Sequence, residues 1–353
     1  MGSTPRQAVF KVNADPTQLP PEFARHWARE LGSKESTLVR LQGGINNHVY
    51  RCGDRRFWVI KGYAPLEPGL RDRMQAEVEF LRYAAHVAPS FTPELIHEDL
   101  SRRCIVLEHL KGEEFLEGVP PPQEAVDAAV FFFRCLNEDH SAARQAIRLD
   151  ASEGFLSLTE HLDNIEQRIL KMGCEHLSAA IKPKAELLLC SLQQEFEYVH
   201  FTINQQINSG VLNNLINPQE CHVSPGDFGF HNAIQTDAGL KFIDFEFSGW
   251  DDPVKTLLDF ILQPRVPFIG GRSPLRASLK VNQSFDIERR YQALMPILRL
   301  KWTCIILSVL NSDRLVEMSR IIPKRAVASL ISQRIGTAFN FTKKFSNHLI
   351  TLE

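Results

Sequence analysis

HVSPGDFGFHNAIQTDAGLKFIDFEFSG, residues 222–249, sets short apolar runs on either side of a loop dense in oxygen-bearing side chains. Four residues separate Asp227 from Asn232 in D-F-G-F-H-N, and Asp244 closes the apolar run L-K-F-I. A loop ending in Asn, followed by a hairpin ending in Asp, can bring three oxygen donors to one point. Magnesium asks for hard oxygen ligands and keeps several waters. Phosphoryl transfer asks for that metal and a carboxylate that orients the attacking hydroxyl. The D-x4-N spacing is the one a kinase catalytic loop uses. A simple polar turn would carry the same residues without a role; the strand-flanked second aspartate in I-D-F-E favours the chemical reading. Asp251 and Asp252 precede Pro253 and read as a helix cap. With Glu246 they could instead face a cationic substrate. Trp250 could stack on a ring but reads as core; the histidines flanking the loop, His222 and His231, read as solvated, although either could orient a substrate hydroxyl.

Upstream, STLVRLQ, HVYRC and FWVIK are β-branched and aromatic runs separated by turn-like GGIN and GDRR, a three-strand antiparallel meander over 36–61. Lys61 follows four apolar residues and can project into a cleft to hold nucleotide phosphates, provided a carboxylate fixes its ammonium. Met74, Val78, Leu81 and Ala85 recur at helical steps over 71–86. Glu77 on that helix is the better partner, and Glu79 is the alternative on another face. In GGINN (43–47) two glycines permit close backbone approach to phosphates, although an ordinary hairpin turn has the same composition. TPELIHED and RCIVLEHL read as strands. The joint EHLKG (108–112) is either a plain linker or an extended segment that pairs an adenine ring through Glu108 C=O and Leu110 N–H. Beyond it the chain is mainly helical, with helices over 122–139, 157–171, 180–208, 286–311 and 323–348.

The chain has 353 residues, 40 basic against 42 acidic, 44% hydrophobic and 23% charged, which excludes collagen-like, disordered, coiled-coil and disulfide-rich classes. Near-zero net charge argues against nucleic acid as partner. The seven cysteines show no C-x-x-C spacing, so reduced buried thiols in a cytoplasmic protein are expected. The apolar stretch 294–310 is broken by Arg299 and Lys301, and reads as a buried helix rather than a membrane span.

The order Gly pair, strand Lys, helix Glu, joint, D-x4-N and I-D-F-E resembles the aminoglycoside phosphotransferase family, relatives of choline kinase. The resemblance covers about 36–262, most specifically G-D-F-G-F-H-N and F-I-D-F-E-F-S-G-W-D-D-P. It implies an α+β, protein-kinase-like two-lobe fold. An arm and short helix would span 1–35, a small antiparallel β-rich nucleotide-binding N-lobe 36–112, and a larger mainly α-helical C-lobe 113–353 with the catalytic loop and acceptor site. The implied activity is transfer of the γ-phosphate of ATP to a hydroxyl of a small molecule: a sugar, amino sugar or amino alcohol. Asp227 would be the catalytic base, Asn232 and Asp244 the Mg2+ ligands, and Lys61 the holder of the α/β-phosphates, paired with Glu77. Gly44 and Asn47 would sit in the phosphate loop, and Asp259 would anchor the large lobe. The family usually has His before Gly-Asp, where it buttresses the loop without taking the proton. Here Pro225 stands there and fixes φ instead. That departure motivates the alternative, a catalytically silent nucleotide-binding protein on the same fold. The segment 263–276 is expected to shape the acceptor pocket.

Overall fold

The computed structural model describes residues 20–41, 48–267, 286–321 and 324–346. The expectations for the arm before Pro20, for Gly44 and Asn47, for most of 263–276 and for the last two residues of the final helix lie outside these. The chain forms two compact units: residues up to Gly154 with His222–Thr256 make up most of one, and Phe155–Cys221, Leu257–Pro264 and the chain from Asp286 onward the other.

In the first unit a five-stranded antiparallel sheet has the order β1-β2-β3-β5-β4. The strands are β1 (Val39–Arg40), β2 (His48–Cys52), β3 (Trp58–Gly62), β4 (Leu95–Asp99) and β5 (Cys104–Glu108). Side chains alternate across it. Ile60 and Trp58 of β3 pack with Cys52, Ala28, Phe23 and Trp27, so helix α1 (Glu22–Glu30) covers that face. Gly62 lacks a side chain where a Cβ would fall 2.3 Å from the Phe23 ring. The residues in between, Lys61 and then Tyr63, face the other way, toward helix α2 (Arg73–Val87). Asp72 caps α2 by accepting from the Gln75 amide.

Two further small sheets bracket the polar loop. Strand β6 (Gly112–Glu114) pairs with β8 (Ala233–Thr236), which pairs with β9 (Gly239–Phe242). Strand β7 (His222–Ser224) pairs antiparallel with β10 (Gly249–Asp251) in the register Gly249↔Ser224. The loop therefore leaves from one strand pair and returns into the other. Its aromatics anchor it: Phe228, Phe230, Phe242 and Phe245 are all buried. Phe245 stacks on Phe80 of α2 at 4.4 Å, and Phe242 stacks on Phe132 of helix α3 (Gln123–Leu136) at 5.2 Å.

The expected helix 122–139 ends at Leu136, and a second helix that the sequence reading lacked follows it. Asn137 turns its amide onto the carbonyls of Phe133 and Val223, and Asp139 caps a new helix α4 (His140–Ala146) by accepting from Ala142 N. The joint at 112 holds the short strand β6, which the sequence reading lacked.

The second unit is helical: α5 (Leu158–Leu170), α6 (Lys182–Asn208), Ile287–Ile306, Ser312–Ile321 and Lys324–Ser346. A capping box of Ser157 and Glu160 starts α5. The expected 286–311 helix ends at Ile306 and gives way to a 3-10 turn. Asn311 then caps Ser312–Ile321, a helix the sequence reading missed, by accepting from the amides of Asp313 and Arg314. Among the described residues only Ile287–Leu310 is long and apolar enough to cross a membrane, and it is mostly buried within the protein. Asp259 of helix α7 (Pro253–Leu262) accepts from Lys301 Nζ at 2.9 Å through each oxygen and from Trp302 Nε1 at 2.9 Å.

Candidate active site

Lys61 is buried, and its ammonium lies 2.6 Å from Glu77 Oε2 and 2.5 Å from Asp244 Oδ1. Glu77 also accepts from Tyr63 OH at 2.7 Å. Glu79 is turned elsewhere, onto Gln75 and the Arg148 amide. Burial by itself disfavours the Lys61 ammonium, but the carboxylates of Asp244, Glu77 and Glu246 outweigh it and the net pKa is raised. Burial, then the Glu77 charge, pushes the Tyr63 phenol well up, so it stays a donor. One lysine thus joins the sheet, α2 and the end of the β9 hairpin.

Asp244 has φ +67, a left-handed conformation that Asp tolerates better than most residues, and its side chain is 38% exposed. Ile243 N donates to Asn232 C=O at 2.9 Å, which extends the β8–β9 ladder and sets Asn232 and Asp244 side by side. Asn232 Nδ2 donates to Asp227 O at 2.9 Å and Asp227 Oδ2 at 3.2 Å. His231 Nε2 lies 3.0 Å from Asp227 Oδ1. Asp227 itself is 40% exposed at the side chain. Gly226 before it has φ +87, and a Cβ there would meet the Phe247 carbonyl carbon at 2.5 Å. Asp227 with Asn232, and Asp244 with Lys61 and Glu77, therefore form two hydrogen-bonded groups within one unit, joined through the Ile243–Asn232 backbone bond.

The donor set fits a magnesium ion. The Asn232 amide nitrogen is committed to Asp227, which leaves its oxygen. Asp244 gives one oxygen to Lys61, which leaves the other. Among the described residues no three His, Cys, Asp or Glu side chains gather as a metal cage. Magnesium needs none, because it is held through one or two protein oxygens with phosphates and water.

Glu108 ends β5, and its carboxylate accepts from Lys241 Nζ at 3.2 Å and from the Glu94 amide at 3.3 Å. Leu110 is buried, and its amide donates to no backbone carbonyl among the described residues. The acidic cluster is structural: Asp252 accepts from the Val254 amide at 2.8 Å, capping α7, and buried Asp251 holds Lys255 Nζ at 2.5 Å. Trp250 is core, with Nε1 on Ile147 O. The two histidines correct the expectation of solvated side chains. His222 is 3% exposed, and the His231 side chain is 6% exposed.

A family model described as a phosphotransferase enzyme family, APH, matches residues 37–261. The chain belongs to this family. No curated protein matches by sequence. Solved structures share the fold at low identity. A choline kinase from Cryptosporidium parvum Iowa II matches at TM-score 0.55 and 12% identity, covering 90% of this chain and 92% of that one. The GDP and kanamycin complex of APH(2")-IIia matches at 0.55 and 13%, covering 90% and 99%. A choline/ethanolamine kinase family protein from Mesorhizobium loti matches at 0.51 and 18%, covering 89% and 91%. The fold is the protein-kinase-like α+β fold, with an antiparallel sheet followed by a mainly helical part. Membership of the family supports a phosphotransferase.

Proposed function

We propose that this phosphotransferase moves the γ-phosphate of ATP to a hydroxyl of a small molecule, with Asp227 as the base. The carrying observation is the unbroken chain Glu77–Lys61–Asp244 beside Asn232–Asp227. The acceptor oxygen attacks the γ-phosphorus, its bond to phosphorus forms, the γ-phosphorus bond to the β–γ bridging oxygen breaks, ADP leaves, and the hydroxyl proton goes to Asp227. Lys61, locked by Glu77, holds the α/β-phosphates. Asn232 and Asp244 would hold Mg2+, which when bound would neutralise charge on the transferring group. Positioning and electrostatics supply most of the rate, because the transition state is loose. The GDP named in a neighbour's complex supports nucleotide use by the fold. We read 1–35 as an arm and short helix, 36–112 as the nucleotide-binding lobe, with Gly44 and Asn47 in its phosphate loop and Glu108 C=O and Leu110 N–H meeting adenine, and 113–353 as the lobe of the catalytic loop and acceptor. The uniformly free cysteines fit a reducing, cytoplasmic setting.

The test is ADP release with Mg-ATP against a panel of hydroxylated sugars, amino sugars and amino alcohols. Asp227→Ala should abolish turnover and leave Mg-ATP binding, read by thermal shift, largely intact. Near-normal turnover removes Asp227 from the role of base. Mg-ATP binding without ADP release for wild type and every acceptor assigns the chain to silent nucleotide binding, the reading that Pro225 favours.

A further inference from the structure

His231 is a buried titratable side chain that the mechanism above leaves unused. Its Nε2 sits 3.0 Å from Asp227 Oδ1, and its Nδ1 is sealed from solvent without a hydrogen-bond partner among the described residues. A buried nitrogen left unpaired is unfavourable and calls for a reason. The ring's one resolved polar contact is with Asp227. Asn232 Nδ2 meets the other carboxylate oxygen at 3.2 Å. The two adjacent residues therefore grip the carboxylate from both sides.

We propose that His231 is the positioning residue of Asp227, donating from Nε2 to Oδ1 to fix the rotation of the carboxylate toward the acceptor. This rests on the reading of Asp227 as base. The ring does not touch substrate, because its free nitrogen is closed off. Its seat comes from its neighbours in sequence: Phe230 is buried on one side and Asn232 is tied to the β9 hairpin on the other. The His231 contact fixes Oδ1 of a side chain that is 40% exposed, while Asn232 holds Oδ2, and small misplacements of a reacting group can be worth about 100-fold in rate.

Three variants test it, with ADP release from Mg-ATP measured with water and with the acceptor panel. His231→Leu keeps the volume and removes the donor; kcat should fall about 10- to 100-fold with the KM for Mg-ATP unchanged and the melting temperature unchanged or raised. His231→Gln, whose amide reaches the Nε2 position, should recover most of that loss. In nitrogen-15 spectra the His231 ring signals should report a protonated Nε2 and should shift in Asp227→Ala. A His231→Leu enzyme with wild-type kcat overturns the inference, as does equal loss in the Leu and Gln variants accompanied by lower melting temperatures. Turnover surviving in Asp227→Ala, or no ADP release by wild type with any acceptor, overturns the reading of the base and the inference with it. A dead Asp227→Ala beside a fully active His231→Leu overturns the inference alone.

Discussion

Replacing Lys61 by Met removes a buried ammonium from between two carboxylates, and the two partners are left in different situations. Asp244 is 38% exposed and can turn to water. Glu77 is 1% exposed and keeps only the Tyr63 hydroxyl as a donor in direct contact. Breaking a buried ion pair from one side costs about 3–5 kcal/mol, because the remaining charge is uncompensated. At about 2–4 °C per kcal/mol for a unit of this size, the melting temperature should fall by about 6–20 °C. Replacing both charges with apolar residues should restore most of that loss, since a buried pair adds little over well-packed hydrophobes. In Lys61→Met/Glu77→Leu the Tyr63 hydroxyl loses its acceptor, worth about 1–3 kcal/mol, so Tyr63→Phe belongs in the set.

The expected result is a single variant that is inactive and unstable, and a triple variant, K61M/E77L/Y63F, that is inactive and nearly as stable as wild type. Differential scanning calorimetry with and without Mg-ATP reads both. A single variant melting within about 2 °C of wild type, or a triple variant no better than the single, refutes the account of the pair. Lys61 adds no pH dependence near neutrality. The folded pKa of Lys61 is raised, so its stabilisation is complete below the ordinary lysine value of about 10.4 and is lost only as pH rises through the folded value.

Gly226→Ala forces a Cβ against the Phe247 carbonyl at φ +87, and should lower turnover at least tenfold, measured by ADP release, because the Asp227 loop must shift. Asp259→Asn keeps an acceptor for Trp302 but leaves Lys301 buried without its counter-charge; about 3–5 kcal/mol should be lost in urea denaturation. Arg103 makes two bonds of 2.8 and 2.9 Å to Asp72, the cap of α2, and with the Gln75 and Met74 amides holds the Asp72 pKa below its ordinary value. A depressed carboxylate stabilises above its unfolded pKa of about 3.9 and loses that as pH falls through the folded value. Arg103→Ala should therefore raise the midpoint of acid unfolding, followed by circular dichroism, and the difference from wild type should vanish at the lowest pH.

The residues that converge here were legible where local rules and long-range packing agree. Period-two alternation fixes which strand positions share a face, so Lys61 and Tyr63 had to face away from Ile60. Helical spacing separates Glu77 from Glu79, and the structure turns them to different partners. Strand β6 was not legible, because Gly-Glu-Glu has no strand propensity and becomes a strand only by pairing with β8. The break after Leu136 depends on Asn137 reaching Val223, far along the chain. His231 was misread for the same reason: histidine in a polar loop gives no local sign of burial, and its seclusion comes from contacts the sequence does not display.

Those contacts are set by the aromatic residues interleaved with the polar ones. The buried phenylalanines stand beside the polar residues: Phe228 follows Asp227, Phe230 precedes His231, and Phe245 follows Asp244. Anchoring Phe245 on Phe80 ties the Asp244 turn to α2, the helix that carries Glu77, and anchoring Phe242 on Phe132 ties the hairpin beneath Asn232 to α3. Each fully buried Phe is worth about 1.5–3 kcal/mol in burial alone, as much as a hydrogen bond to a charged group of the polar cluster contributes. The aromatic positions therefore share with the polar ones in fixing the geometry. That is why D-F-G-F-H-N and F-I-D-F-E carry more information than their carboxylates and amides alone.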